Sequence, residues 1–323
     1  MKKLLSILPL VMLISCNKDE VSVPPGIDVR QEMRDFVIGI SQYAKSSSPG
    51  FAIIPQNGIE LVSGNGQEDG NPVSDYLAAI DGNGQEDLFY GYSKDDKATS
   101  SKDISYLRAF LDKSKNAGKT ILVTDYCSTH SNMDDSYKKN ESAGYVSFAA
   151  SERELNVIPG YPAPVHSVNN NLVTGLPEVK NFLYLINPEK FTTKEDFINA
   201  VASTNYDLLI MDLFFNENTE FTSDEIERMK NKANGGKRLV VCYMSIGEAE
   251  DYRYYWQSDW SKNKPSWLER ENPDWPGNYK VRYWEQEWKD IIYGNDGSYL
   301  KKILNAGFDG VYLDIIDAFE YFE

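Results

Sequence analysis

The chain has 323 residues, 41% of them hydrophobic and 13% aromatic, enough apolar surface for a packed core, which excludes a wholly disordered chain. Its 49 acidic against 33 basic side chains leave a formal net charge of −16, and so acidic a surface repels phosphate backbones and argues against nucleic acid as a partner. Two histidines argue against a histidine-rich metal site, and three cysteines cannot build a disulfide framework.

In chain order, Lys2 and Lys3 precede an apolar run at 4–14, of signal-peptide length and too short to span a bilayer. It ends in Leu13-Ile14-Ser15-Cys16, which resembles a bacterial lipobox, in which the cysteine becomes the lipidated first residue. Asn17-Lys18-Asp19-Glu20 then looks like the acidic export tag of surface lipoproteins. The expectation is a lipoprotein signal peptide at 1–15, a tether at 16–28 and a single domain at 29–323. The protein would be lipid-anchored through Cys16 at the outer membrane or cell surface. An ordinary signal peptide with a chance cysteine is the alternative.

Met33, Phe36, Val37, Ile40, Tyr43 and Ala44 recur at helical spacing and predict an amphipathic helix over 29–45. Further helices are expected at 75–79, at 103–117, from Thr193, from a cap at Thr222 or Ser223 to Gly235-Gly236, and around Leu300, Ile303 and Leu304. Strands are expected at 51–56, 79–84, 120–126, 180–186, 207–214, 238–245, 280–285 and 309–315. Most are continuous apolar runs, the pattern of parallel strands buried on both faces. Eight such strands joined by helices predict an α/β fold, a (β/α)8 TIM barrel. A doubly wound open sheet is the alternative, but no glycine-rich dinucleotide fingerprint follows any strand.

Two features interrupt this order. The helix at 29–45 has no strand before it, and the strand at 309–315 is expected to have no helix after it; the first would complete the second in a circularly permuted barrel. Gly64-Asn65-Gly66-Gln67-Glu68-Asp69 recurs as Gly82-Asn83-Gly84-Gln85-Glu86-Asp87, a period too short for a solenoid, and only the second copy follows an expected strand.

Barrel chemistry sits at the C-terminal ends of strands. There the sequence offers Asn57, Glu86, Asp125 with Tyr126, Asp212, Glu248 with Arg253, Trp284 with Glu285, and Asp314 with Asp317. Like charges gathered together raise one another's pKa, and a protein uses such a cluster to hold protonated beside ionised carboxyls. Glycoside hydrolysis needs that mixture. Tyr243, Tyr252, Tyr254, Tyr255, Trp256 and Trp284 would offer flat faces to sugar rings. Each acid could instead be a cap or an ion-pair partner, Glu250 and Arg253 could pair on a helix, and the cluster could hold Ca²⁺ or Mg²⁺. No zinc spacing and no Ser/His/Asp arrangement is apparent, with His130 and His166 in loop-like stretches. Neither a metal nor a cofactor is expected.

Four strings carry a resemblance: YDLLIMDLFF at 206–215, SIGEAEDYRYYW at 245–256, NYKVRYWEQEWKDII at 278–292 and GFDGVYLDIIDAF at 307–319. They are similar to extracellular glycosidases related to glycoside hydrolase family 114, the endo-α-1,4-polygalactosaminidases, sometimes labelled cysteinyl-tRNA synthetase-related. The resemblance implies a (β/α)8 barrel. FAIIPQNGIELV at 51–62 and AIDGNGQEDLFYGY at 79–92 also resemble the group, but there they would follow the GFDGVYLD segment, in line with a permutation. Asp212 and Asp314 match acidic positions of the group, whereas Tyr312 stands where the polygalactosaminidases often carry a glutamate. In rotated order Glu86 falls on the seventh strand and is the substitute acid.

The expected function is therefore a polysaccharide hydrolase using Asp314 and Glu86, with Asp212 orienting or tuning them. Tyr243, Glu248, Arg253, Trp284, Glu285, Asn57, Asp125, Tyr126 and Asp317 are the expected substrate contacts. A non-catalytic carbohydrate-binding surface lipoprotein and a metal-dependent enzyme of another class are the alternatives.

Overall fold

The computed structural model describes residues 23–216, 219–260 and 262–323. The signal segment, the lipobox and Cys16 lie outside them.

The first helix, α1 (Val29–Ser47), starts where the Asp28 carboxylate accepts the Gln31 amide at 3.0 Å, and it buries the Met33, Phe36, Val37, Ile40 and Ala44 stripe. Strands and helices then alternate: β1 (Ala52–Pro55), α2 (Ser74–Ala79), β2 (Gly82–Glu86), α3 (Ser101–Asn116), β3 (Thr120–Tyr126), α4 (His130–Ala143) and β4 (Val146–Ala150). After a long loop come β5 (Phe182–Tyr184), α5 (Lys194–Ala202), β6 (Leu208–Met211), α6 (Ser223–Met229) and β7 (Leu239–Ser245). Reciprocal capping boxes, Thr193 with Asp196 and Thr222 with Glu225, set the starts of α5 and α6. An excursion then holds β8 (Glu248–Glu250), β9 (Leu268–Glu271) and β10 (Asn278–Val281), and α7 (Gln286–Ile292) and α8 (Tyr299–Asn305) lead back to β11 (Gly310–Asp314).

The fold is α/β, with parallel central sheets. One runs β1-β11-β7-β6-β5 and the other β2-β3-β4, every pairing in both being parallel. Their edges adjoin. Gln56 and Gly84 form a parallel bridge, and the Asn57 amide donates to the Gly84 carbonyl at 3.0 Å. At the other edge β4 lies beside β5, with the Phe148 and Phe182 ring centroids 5.7 Å apart. The most apolar of the strands, such as Leu208 to Met211, are fully buried, as parallel strands covered on both faces require.

Two expectations need correction. The 280–285 segment is not a parallel strand: β10 pairs antiparallel with β8 and β9 in a separate small sheet. Its apolar side chains serve an aromatic cluster instead, where Tyr283 packs on Trp284 and Phe322 and its hydroxyl donates to the Val29 carbonyl at 2.7 Å. The parallel strand missing from the expected set is β4, a short VSFAA segment whose serine and alanines dilute the apolar signal. The helix before it, α4, was equally faint, because its buried face includes Ser136 and Asn140, both bonded to Asp125. His130 therefore begins a helix, stacked on Tyr161 with ring centroids 3.8 Å apart. Smaller shifts also occur. The strand expected at 79–84 runs Gly82–Glu86, and α6 stops at Met229, well before Gly235-Gly236.

The first helix packs against α2, α8 and the turn after β11. Arg34 donates to the Leu61 and Ser63 carbonyls, just past β1, whereas Lys45 pairs with Asp81, just before β2. The start of α1 thus lies beside segments that follow strands, and its end beside the start of a strand. Arg30 pairs with Glu323 at 2.5 Å.

Candidate active site

A cavity of about 410 Å³ opens where the parallel strands end. Gln56 and Asn57 reach it from just past β1, Glu86 from the end of β2, Tyr126 from β3, Arg153 from beyond β4 and Tyr184 from β5. Asp212 follows β6, Tyr243 lies on β7 with Glu250, Tyr252 and Arg253 after it, and Asp314 ends β11 with Asp317 beyond.

Three donors converge on the Glu86 carboxylate. Gln56 Nε2 and Asn57 Nδ2 reach Oε2 at 2.6 and 3.0 Å, and the Tyr126 hydroxyl donates to Oε1. The donors are themselves held. The Tyr184 hydroxyl donates to Gln56 Oε1 at 2.9 Å, and Asn57 Oδ1 accepts the Glu86 amide at 3.1 Å. Asn57 adopts a left-handed backbone with φ of 57°, which turns its amide group back over β2.

Asp314 is placed differently. It takes one side-chain hydrogen bond, from the Tyr243 hydroxyl at 2.6 Å. Burial and then the nearby Glu86 charge push its carboxyl up to about 7, against the pull of Tyr243 and the Ile315 amide. Asp317 is also raised, first by burial, with Lys280 opposing. The Asp212 carboxylate is gripped by Arg253, with Nη1 and Nη2 at 2.9 and 2.7 Å, and it accepts the Phe214 amide at 2.8 Å. Arg253 Nε also donates to Glu250 at 2.7 Å, so one nearly buried guanidinium bridges two acids.

The lining carries six carboxyl residues (Glu86, Glu154, Asp212, Glu250, Asp314 and Asp317) against two arginines, Arg153 and Arg253. Both arginines are already paired, Arg153 with Asp87 and Asp95. Among the described residues, no group of three or more His, Cys, Asp or Glu side chains is arranged to hold a metal ion.

Residues 168–323 match glycoside-hydrolase family GH114. That segment, a little under half of the chain, is similar to the GH114 glycoside hydrolases. An uncharacterized protein of Methanocaldococcus jannaschii is 47% identical over 126 residues, 38% of this chain and 34% of that relative. Uncharacterized proteins of Thermotoga maritima and Deinococcus radiodurans are 42% and 38% identical over 123 residues, covering 36% and 37% of their lengths. The chain thus spans about a third of the length of the curated relatives it matches.

The GH114 segment supplies β5, β6, β7 and β11, and with them Asp212, Tyr243, Arg253, Asp314 and Asp317. Glu86, Asn57 and Tyr126 come from β1 to β3, outside the matched segment, and meet the others in the same cavity. Four expected contacts lie elsewhere. Asp125 is fully buried against α4 and outside the cavity lining, accepting the Phe89 and Tyr90 amides and the Ser136 and Asn140 side chains. Glu248 is fully buried in β8 and paired with Lys280 at 2.5 Å. Trp284 packs on Phe322, and Glu285 precedes α7, because the segment carrying them is not a parallel strand. Of the expected aromatic faces, Tyr243 and Tyr252 line the cavity; Tyr255 turns inward to bond the Glu250 amide at 3.0 Å.

Sequence reading missed Arg153, Tyr184, Phe214 and Trp275 as lining residues and saw Glu250 only as a pairing partner. Arg153 follows the unrecognised β4, and Tyr184 is part of an apolar run that reads as core.

Proposed function

We propose that this protein is a glycoside hydrolase that cleaves a polysaccharide through Asp314 and Glu86. The observation that supports this most is the contrast between two carboxyls on one cavity. Asp314 holds its proton up to about 7, while Glu86 is surrounded by three hydrogen-bond donors. Asp314 would protonate the leaving glycosidic oxygen, and Glu86 would attack the anomeric carbon or activate water. Asp212, fixed by Arg253, would tune the field around them rather than move a proton. Six carboxyl residues against two paired arginines favour neutral or amino sugars over uronic or sulfated ones.

The same reading takes the eight parallel strands as a closed (β/α)8 barrel, circularly permuted, with α1 as the helix that follows β11. The position of α1 beside α2, α8 and the turn after β11 supports it. Counted from β5 through the N-terminal strands, Glu86 then falls on the sixth strand rather than the seventh, since β10 drops out of the count. Lipidation at Cys16 and a surface location complete the proposal and rest on the lipobox; none of the described helices is long and apolar enough to cross a membrane. Mass spectrometry of membrane-extracted protein, with and without Cys16→Ala, tests the anchor.

Release of reducing ends from a polysaccharide panel, α-1,4-linked galactosamine included, tests the activity. Asp314→Asn and Glu86→Gln should each lower kcat/KM by about a thousandfold or more while leaving the circular dichroism spectrum unchanged. Full activity in Asp314→Asn sinks the assignment. A second reading, a carbohydrate-binding lipoprotein without turnover, is favoured by Tyr312 standing where the resembled enzymes carry a glutamate; glycan retention with no product would select it.

A further inference from the structure

Six large apolar side chains are exposed among the described residues: Tyr92, Tyr106, Val168, Leu172, Tyr252 and Trp275. Only Tyr252 and Trp275 line the cavity. Trp275 is 58% exposed and makes no ring–ring or cation contact among the described residues, whereas the other five tryptophans each pack against a neighbouring ring. Leaving an indole in water forgoes the burial that normally stabilises it, so its place at a cavity rim calls for an occupant.

Its backbone is well held. Trp275 lies in the turn between β9 and β10, where its amide donates to the Asn272 carbonyl at 3.2 Å and its carbonyl accepts the Asn278 amide at 3.1 Å. Asn272 Nδ2 donates to Glu248 Oε1 at 2.8 Å, and the Asp251 amide donates to the Gly277 carbonyl at 2.9 Å, tying the turn to β8. Tyr252 is fixed by its hydroxyl bond to Glu250 at 2.6 Å and keeps 38% of its surface exposed. Asn278, between them on the lining, adds a side-chain amide that can donate and accept. Two aromatic faces and an amide, all carried by the excursion after β7, suit a pyranose ring: its CH face meets the negative face of an aromatic ring, and its hydroxyls meet the amide.

We propose that Trp275, Tyr252 and Asn278 form an outer sugar-binding subsite that grips the polysaccharide away from the reacting carboxyls. The proposal rests on the carbohydrate reading of the cavity but not on turnover. Binding energy from groups that touch no reacting atom acts on ground and transition states alike, so its loss should raise KM and spare kcat.

The test compares wild-type protein with Trp275→Ala and Trp275→Phe on α-1,4-linked galactosamine dimers and long oligomers, and on an immobilised array of neutral and amino-sugar glycans. Trp275→Ala should lose about tenfold or more in kcat/KM on long oligomers through KM, with little change on the dimer, and Trp275→Phe should recover most of it. Equal loss at every length, or none, overturns the subsite. If nothing is hydrolysed, the array decides: glycans retained by the wild type must be lost by Trp275→Ala and kept by Trp275→Phe. That outcome rejects turnover of α-1,4-linked galactosamine while keeping the subsite; retention independent of Trp275, or no retention by the wild type, overturns the subsite itself.

Discussion

The Tyr243 hydroxyl, on β7, donates to Asp314 Oδ2 on the neighbouring strand β11 at 2.6 Å. This bond favours the ionised carboxylate, whereas burial and the Glu86 charge favour the acid, and the balance leaves Asp314 at about 7. As general acid, Asp314 must carry its proton, so kcat/KM should fall as pH rises through about 7. Tyr243→Phe removes the opposing bond and should move that alkaline limb to higher pH. Glu86→Gln removes a neighbouring charge and should move the Asp314 titration down, readable by NMR of the labelled carboxyl even in an inactive variant. An alkaline limb that ignores both substitutions denies Asp314 the acid role.

The same group bears on stability. An aspartate whose carboxyl is raised in the folded protein binds its proton more tightly folded than unfolded. Its contribution is complete below the unfolded value of 3.8 and is lost as pH rises through about 7. Asp314→Asn removes this loss. Urea unfolding at pH 5 and pH 8 should therefore show a smaller drop for the variant than for the wild type, and an unchanged drop would place the cause elsewhere.

Much of this was legible in the sequence, for identifiable reasons. The runs that became β3, β7 and β11 are apolar without alternation, which only strands covered on both faces tolerate, and their last acids and tyrosines mark the cavity side. Thr193 and Thr222 announced helix starts because each has an acid three residues on to complete a capping box. What failed did so where a local pattern serves a different partner. The apolar residues around Val281 and Tyr283 resemble a strand but pack on α1 and the aromatic cluster, and that error carried Trp284 and Glu285 into the expected site. β4 and α4 were lost because Asp125, buried between them, recruits serine and asparagine onto faces that would otherwise be apolar. Trp275 gives no local signal at all, since only the fold of the excursion brings it to the rim.

Arg253 stands between Asp212 and Glu250 with almost no solvent. Removing it leaves two acids close together without their shared cation, and a lost partner in a buried pair costs about 3–5 kcal/mol. Arg253→Ala should lower stability by that order in urea unfolding and lower activity with it. Arg253→Lys should rescue little, because one ammonium cannot reproduce a fork that reaches both carboxylates. Converting the acids as well, as Arg253→Met with Asp212→Asn and Glu250→Gln, should recover much of the stability but not the activity. If Arg253→Ala alone costs less than about 1 kcal/mol, the cluster is better hydrated than its burial implies.

Tyr312 is fully buried on β11, and its hydroxyl has no hydrogen-bond partner among the described residues. It packs edge-on against Tyr184, with ring centroids 5.2 Å apart, and reaches over Gly84, where a Cβ would lie 2.0 Å from its hydroxyl oxygen and 2.4 Å from the ring carbon bearing it. Gly84 is thus small because Tyr312 is large, and the pair sits at the edge where β1 meets β2, two residues before Glu86. Tyr312→Phe removes only an unpaired buried hydroxyl and should be neutral or stabilising, by up to about 1 kcal/mol, with activity retained. Gly84→Ala should be destabilised by at least about 1–3 kcal/mol, since overpacking there must displace the ring or part the strands. Activity should fall in parallel as the donors around Glu86 shift. Tyr312→Leu in the Gly84→Ala background should return part of both losses, read as Tm and kcat/KM. Additive damage in the double variant would mean that the glycine answers to the backbone there and not to the tyrosine.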